Sequence, residues 1–495
     1  MEEILGLDRS ALDRARLSRD ARFDGRFFIA VTSTGIYCRP ICPSPTSKNT
    51  NVRYYATAAA AAEAGFRPCL RCRPEAAPGT PGWLGTSAVV RRALRLIQEG
   101  VLDEMSVDEL AARIGIGPRH LHRLFTKHVG ASPIAVAQTR RLHFAKRLLD
   151  ETDLPITQIA LASGFGSLRR FNYTFQQTYN RAPRDIRRQR RGGIAAADAD
   201  EVVLRLAFRP PYDWTQVRDF LAARAVPGVE RVERGYARTV KSGTDQAIVC
   251  VRALEHDDAL ELRVRGAAPT MLFQISSIAR RMFDLAADPT RIAVAFKADD
   301  LLTPLVKRRP GLRIPGVWDA FECAVRAVLG EHVDAAAARV LAGRLVARAG
   351  EPIAEAAEGL THSFPTPQAV ASTDLSGLGL AAGRIATLRA LASATHAGKV
   401  DFSTNVEEIL SALTSLPGFD AAAAQYVALC ALGEPDAFPR GDLIVRRMAG
   451  SQRKPLTARE LDARMEAWRP WRGYALIHLW HASAEHAEAL LRRAS

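Results

Sequence analysis

Cys38-Arg39-Pro40-Ile41-Cys42 and, after a further 26 residues, Cys69-Leu70-Arg71-Cys72 decide how the first part of the chain is read. Two short loops that each supply two thiolates close a tetrahedral zinc site. On spacing alone the metal is structural, folding a segment too small to hold itself together. Spacing does not say whether the same site also does chemistry. One zinc ion and four thiolates make a doubly negative centre with electron-rich sulfurs, which are able to accept a methyl group. Methylating one sulfur leaves the centre singly negative and removes a repulsion against DNA phosphates, so the methylated form should bind DNA more tightly.

The wider composition fits this setting. Of seven cysteines, four crowd between residues 38 and 72, which in a reducing compartment favours metal over disulfides. Cys250, Cys323 and Cys430 lie in apolar strand or helix patterns and are expected in the core. A chain of 495 residues suggests about three domains. Its 47% apolar content excludes wholesale disorder. Lys plus Arg outnumber Asp plus Glu by 68 to 53, a net charge of +15 that asks for an acidic partner, most commonly nucleic acid. No run of 18 uninterrupted apolar residues exists, so no membrane-spanning helix is expected. Met1-Glu2-Glu3-Ile4-Leu5 lacks the basic and apolar regions of a signal peptide. The expected location is the cytoplasm.

Beyond the cysteines, Ala76-Ala77-Pro78-Gly79-Thr80-Pro81-Gly82 reads as a linker, and a second one falls at 190–200. Between them the apolar residues recur at helical spacing. Ser106-Val107-Asp108-Glu109 is a capping-box pattern, Gly115-Ile116-Gly117 a turn, and Pro118 suits the first position of a helix over 119–125. That helix shows Arg119, His122 and Arg123 on its polar side, as a DNA-reading helix should. A second copy starts at Pro155, turns at Gly164-Phe165-Gly166 and reads through 167–176, exposing Arg169, Arg170 and Asn172. The competing reading is an ordinary helical bundle with solvated arginines. Arg181, Arg184, Arg187, Arg188, Arg190 and Arg191 then suit phosphate contact. Strand-like alternation begins at Val202, Leu204, Leu206 and Phe208 and returns near 248–251 and 260–264, and an alanine-rich helical pattern occupies 315–495.

Ala21-Arg22-Phe23-Asp24-Gly25, Thr34-Gly35-Ile36-Tyr37-Cys38-Arg39-Pro40-Ile41-Cys42-Pro43 and Gly65-Phe66-Arg67-Pro68-Cys69-Leu70-Arg71-Cys72-Arg73-Pro74 resemble the N-terminal domain of the Ada family of alkylation-response proteins, over about residues 15–75. The resemblance implies that Cys38 irreversibly takes a methyl from a DNA methylphosphotriester, with Cys42, Cys69 and Cys72 as its fellow zinc ligands. Arg39, Arg67, Arg71 and Arg73 lie beside the ligands and either hold flanking phosphates or solvate the surface. The segment at 106–176, with Arg141-Leu142-His143-Phe144-Ala145-Lys146-Arg147-Leu148-Leu149 as its connecting helix, resembles the AraC-type DNA-binding domain.

Further on, Leu416-Pro417-Gly418-Phe419-Asp420 and the helix after it look like a helix-hairpin-helix, which aims backbone N–H groups at a DNA phosphate, often with a monovalent cation. Together with Phe438-Pro439-Arg440-Gly441-Asp442-Leu443, Arg313-Ile314-Pro315-Gly316-Val317-Trp318-Asp319 and Arg209-Pro210-Pro211-Tyr212-Asp213-Trp214, it resembles the 3-methyladenine DNA glycosylase II (AlkA) family over about 201–490. That resemblance implies Asp442 as the acid beside the sugar and Tyr426 and Trp480 as pocket aromatics, although both aromatics equally suit helix packing. Ala422 stands where bifunctional relatives carry a lysine, so a monofunctional glycosylase is expected. The chain departs from the family pattern at Asp420, Ala422, Glu331, His332 and His481, which puts substrate choice and DNA grip in question. No remaining cysteine sits in a Pro-Cys-His-Arg motif, so O6-methylguanine repair is not expected.

The expected architecture is multidomain and mainly α. It comprises a small zinc α/β domain (1–78), a double helix-turn-helix domain (85–192), an α+β AlkA-type N-terminal domain (201–310) and an all-α helix-hairpin-helix glycosylase domain (311–495). The expected activities are methyl acceptance at Cys38, promoter binding as a transcriptional activator and excision of alkylated purines through Asp442. Expected DNA contacts come from Arg39, Arg67, Arg71, Arg119, Arg123, Arg169, Arg170 and Gly418, and the expected partners are alkylated and promoter duplexes and RNA polymerase. The alternative is a regulator whose glycosylase fold only holds DNA.

Overall fold

The computed structural model describes residues 4, 6–78, 88–188, 201–357, 359–439, 442–450 and 455–494. The linker expected at 190–200, most of the one at 76–82, and Arg190, Arg191, Arg440 and Gly441 lie outside them. Packing groups the chain into two compact units: one runs up to Pro210 and adds Ser242–Arg280 and Leu285–Ala287, and the other holds Pro211–Lys241, Arg281–Asp284 and the residues from Asp288 onward. Among the described residues, no helix is long and apolar enough to cross a membrane.

The first unit begins with a four-stranded sheet, ordered Val52–Tyr55, Phe28–Val31, Ile36–Cys38, Arg67–Pro68. One side of it buries Leu12, Phe27, Ile29, Val52 and Tyr54. The strand Arg67–Pro68 runs parallel to Ile36–Cys38, with Ile36 opposite Arg67 and Tyr37 opposite Pro68. Cys38 and Cys69 are the next residues along those two strands.

Two helix pairs follow, Val107–Arg113 with Pro118–His128 and Ile156–Ala162 with Leu168–Tyr179, joined by the 19-residue helix Pro133–Glu151. The capping box is present: the Glu109 N–H donates to Ser106 Oγ, and the Ser106 N–H donates to Glu109 Oε2 at 2.7 Å. Both reading helices run about a turn further than the sequence pattern indicates, because Phe125, and Phe175 with Tyr179, keep the apolar stripe going.

The turn of the second pair has no room for a side chain. Gly164 sits at φ +79°, and a Cβ there would stand 2.5 Å from the Asp103 carboxylate, which Arg140 and Arg141 grip. Gly115, its counterpart in the first pair, has the same left-handed backbone but open space around it. Gly164→Ala should therefore destabilise the protein by about 2 kcal/mol or more and Gly115→Ala by distinctly less, a difference readable by urea unfolding.

The first unit also carries Glu201–Ala207 antiparallel to Ala259–Arg265, which pairs in turn with Asp245–Ala253. These strands fall where the alternation placed them. Cys250, expected in the core, is only half-buried on its strand, whereas Cys323 and Cys430 are buried.

The second unit is mainly helical. It is not all-α beyond residue 311: Gly350 ends the helix Ala335–Ala349, and a β-hairpin forms from Glu351–Ala357 and Leu360–Ser363. The helices Val406–Thr414 and Ala421–Cys430 flank a tight connection in which Gly418 is exposed at φ +75°. Asp442 caps the helix Leu443–Ala449, which packs on the long helix Arg472–Ala494.

Candidate metal centre and active site

The four sulfurs of Cys38, Cys42, Cys69 and Cys72 all lie within 4.8 Å of one another. A tetrahedron with zinc–sulfur bonds of about 2.3 Å has sulfur–sulfur edges of roughly 3.8 Å, so the cluster has the size and the all-thiolate donor set that suit zinc. The backbone N–H of Arg39 donates to Cys72 Sγ at 3.3 Å, as expected for a thiolate acceptor. Hydrogen bonds within the cluster push the Cys38 and Cys72 thiols up, with burial adding to the rise, and pull Cys42 and Cys69 down against burial, Cys69 to about 6. Four thiolates this close need a divalent cation to coexist. Cys69 and Cys72 are buried, whereas Cys38 and Cys42 are partly open to solvent.

The arginines beside the ligands divide by exposure. Arg71 is exposed and Arg67 half-buried. Arg39, expected as a DNA contact, is turned inward: its guanidinium grips the Asp24 carboxylate and donates to the Cys72 carbonyl at 3.1 Å. Arg73 is likewise committed, to Asp150, Glu151 and Glu75. Local spacing gave no sign of either engagement, since Asp24 lies 15 residues from Arg39 and Asp150 comes from another helix. Arg119, Arg123, Arg169 and Arg170 all stand exposed on the reading helices, and Arg123 shares a hydrogen bond with His120. Tyr173, 67% exposed on the second reading helix, went unnoticed in the sequence pattern; as an aromatic on the polar face of that helix, it was the one visible signal.

In the second unit Asp442 and Trp480 come together. The Trp480 indole N–H donates to Asp442 Oδ2 at 2.7 Å, and the Val445 N–H donates to Oδ1 at 3.0 Å. The carboxylate is half-exposed at its helix N-terminus, followed by the exposed apolar residues Leu443 and Ile444. Tyr426 has no described hydrogen bond to either partner of this pair. Its phenol is pushed well up by burial, against the opposing pull of Arg224 and Arg326.

The departures also acquire positions. Asp420 is exposed but engaged: its carboxylate accepts from the N–H groups of Ala422 and Ala423, capping the helix that follows. His332 projects from the turn after the helix Ala320–Leu329, with 86% of its side chain exposed and Glu331 beside it. His481 joins a polar cluster with Arg309, Glu485 and Asp213, while its neighbour Trp480 holds Asp442. Helical phase accounts for this, because a residue adjacent to Trp480 points about 100° away around the helix. Next to it, burial pushes His478 down to about 4, and His481 and Arg309 add to the effect.

Three sequence families match the chain: the metal binding domain of Ada over residues 11–75, a helix-turn-helix domain over 110–189, and the AlkA N-terminal domain over 203–319. The chain is 41% identical over 486 residues to the "Probable bifunctional transcriptional activator/DNA repair enzyme AlkA" of Mycobacterium tuberculosis (strain ATCC 25618 / H37Rv), covering 96% of both chains. It is 34% identical over 283 residues to DNA-3-methyladenine glycosylase 2 of Escherichia coli (strain K12), covering 56% of this chain and 96% of that one. To the bifunctional transcriptional activator/DNA repair enzyme Ada of the same organism it is 38% identical over 149 residues, covering 30% of this chain and 40% of the relative.

Proposed function

The chain belongs to the family of bifunctional transcriptional activator/DNA repair enzymes that join Ada-type and AlkA-type domains, and on that footing we propose that it answers DNA alkylation in three ways. Cys38 accepts a methyl group from a methylphosphotriester in the DNA backbone. The helix pairs at 107–128 and 156–179 bind promoter DNA and, with RNA polymerase as partner, activate transcription. Asp442 drives hydrolytic removal of alkylated purines such as 3-methyladenine. The four domains of this reading are 1–78, 85–192, 201–310 and 311–495.

In the methyl transfer, the Cys38 sulfur forms the new S–CH3 bond as the CH3–O bond breaks. The electron pair leaves on the phosphate oxygen, so the triester becomes an ordinary diester. Zinc held by the four cysteines keeps these sulfurs as thiolates. The choice of sulfur follows from access, because Cys69 and Cys72 are buried and Cys72 already accepts the Arg39 N–H. In base excision, bond cleavage at the sugar builds positive charge beside a carboxylate held by Trp480 and Val445. Before that cleavage the nucleotide leaves the stack toward Asp442; the electron pair of the broken C1′–N bond departs on the alkylated base, and water adds at C1′ to complete the hydrolysis.

The observation that carries the excision half over a DNA-holding regulator is the half-exposed Asp442 carboxylate, fixed through both oxygens. The test incubates purified protein with methylated duplex, measures free 3-methyladenine and maps the methylated cysteine by mass spectrometry. Release without methyl uptake removes the acceptor half, and uptake without release leaves the regulator reading.

One observation favours a weakened grip at the hairpin. Asp420 occupies N–H groups that a phosphate would otherwise approach next to Gly418, and its own negative charge repels that phosphate. Asp420→Gly should therefore tighten binding to plain duplex by about tenfold at low salt, measured by fluorescence anisotropy, with only a small loss of stability.

A further inference from the structure

Arg209 lies outside the segment matched by the Ada metal-binding family and inside the one matched by the AlkA N-terminal domain. Its side chain is nevertheless shared between the cysteine-rich domain, at Asp24 and Pro78, and its own segment, at Ala286 and Ala287. It is 1% exposed, and its Nε donates to the Asp24 carbonyl at 2.9 Å. Nη1 donates to the Ala286 carbonyl at 2.9 Å, and Nη2 reaches the Pro78 carbonyl at 3.5 Å. Gly25, at φ +70°, makes this approach possible, since a Cβ there would run into the Pro78 carbonyl and stand 3.0 Å from the Arg209 guanidinium.

The far side of the same turn holds the metal centre. The Asp24 carboxylate, 4% exposed, grips Arg39, and Arg39 holds Cys72 twice, by its backbone N–H on the sulfur and by its guanidinium on the carbonyl. A continuous chain of hydrogen bonds therefore runs from Arg209 through residue 24 and Arg39 to a zinc-ligand sulfur. The turn between Phe23 and Arg26 is clamped between two guanidiniums, one from each side.

We propose that Arg209 is a positioning residue of the zinc–thiolate centre, so that the AlkA-type half of the chain braces the methyl acceptor of the Ada-type half. Without it, Asp24 keeps its N–H bond to the Ala21 carbonyl but loses the donor on its own carbonyl, so Arg39 loses a rigid partner and Cys72 an oriented donor. Partners in the second layer around a metal hold the ligands in the geometry that retains it. This inference rests on the reading of the four cysteines as a zinc site, and its consequence for methyl transfer rests on Cys38 being the acceptor.

The test uses the full-length zinc-loaded protein and follows zinc release to a chromogenic chelator. Arg209→Met should release zinc about tenfold faster than wild type. Because Arg209 acts through Arg39, Arg39→Met combined with Arg209→Met should be no faster than Arg39→Met alone. Arg209→Lys keeps the charge and one hydrogen bond, and should fall between wild type and Arg209→Met. An Arg209→Met protein that keeps zinc as wild type does, or a double variant whose effects multiply, overturns the inference. If Arg209→Met does not fold, Arg209→Lys decides: faster release supports the brace and a wild-type rate overturns it. Methyl uptake at Cys38, measured on the same samples, separates the two readings, since a wild type without uptake sinks the acceptor function while the release rates still judge Arg209.

Discussion

Asp442→Asn is expected to lower the rate of 3-methyladenine release by about a thousandfold while leaving the fold in place. The size follows from the charge. Breaking the bond between an alkylated purine and its sugar leaves positive character on the sugar ring, and an ionised carboxylate beside that ring stabilises it electrostatically. Asparagine has the same shape but no charge. It also meets a local conflict. Asp442 accepts through both oxygens, from Val445 and from Trp480. An amide can satisfy one donor with its oxygen, but its NH2 then faces the other donor. The cap itself should survive, because asparagine caps a helix as well as aspartate does, and the stability lost is that of the displaced Trp480 donor, about 1 kcal/mol. Trp480→Phe supplies the contrast: it removes the 2.7 Å hydrogen bond and keeps the acid, so the loss should be nearer tenfold. Single-turnover base release, with unfolding temperature measured alongside, distinguishes these outcomes. An Asp442→Asn protein working near the wild-type rate would remove the acid from the mechanism and return the second unit to a DNA-holding role.

The features legible in the sequence are those in which chemistry is local. Cys38 with Cys42, and Cys69 with Cys72, sit on two short loops, and a parallel strand pairing of a few residues brings the loops together. Ser106 and Glu109 are three residues apart and close their capping box within one helical turn. Where a side chain had to choose between solvent and a distant partner, the sequence was silent. Arg39 and Arg71 look alike beside their cysteines, yet Arg39 is committed to Asp24 while Arg71 remains exposed. Asp420 reads as a charge facing a phosphate until the helix start at Ala421 offers it two N–H groups. Arg209 belongs by pattern to the second half of the chain and by contact to the first. In each case a long-range or capping partner decides the direction of a charge, and no periodicity encodes that.

Cys38→Ala is expected to abolish methyl uptake, from one methyl per chain in the wild type to none, and with it the rise in promoter affinity that follows exposure to methylated DNA. Only Cys38 and Cys42 are open enough to meet a backbone methyl group, and the resemblance to the Ada domain selects Cys38. Loss of one sulfur leaves three cysteines to hold the metal, so zinc content is measured on the same protein to separate a missing acceptor from a collapsed site. The affinity change has an electrostatic origin. Methylation neutralises one thiolate in a region that carries exposed Arg71 and half-buried Arg67, and the gain in binding should be about tenfold at low salt and shrink as salt screens it. Peptide mapping of methylated wild type, with promoter binding at two salt concentrations, tests both parts. A methyl group on Cys42 moves the acceptor and leaves the charge account standing, whereas an affinity gain that ignores salt contradicts the charge account and requires a conformational switch in its place.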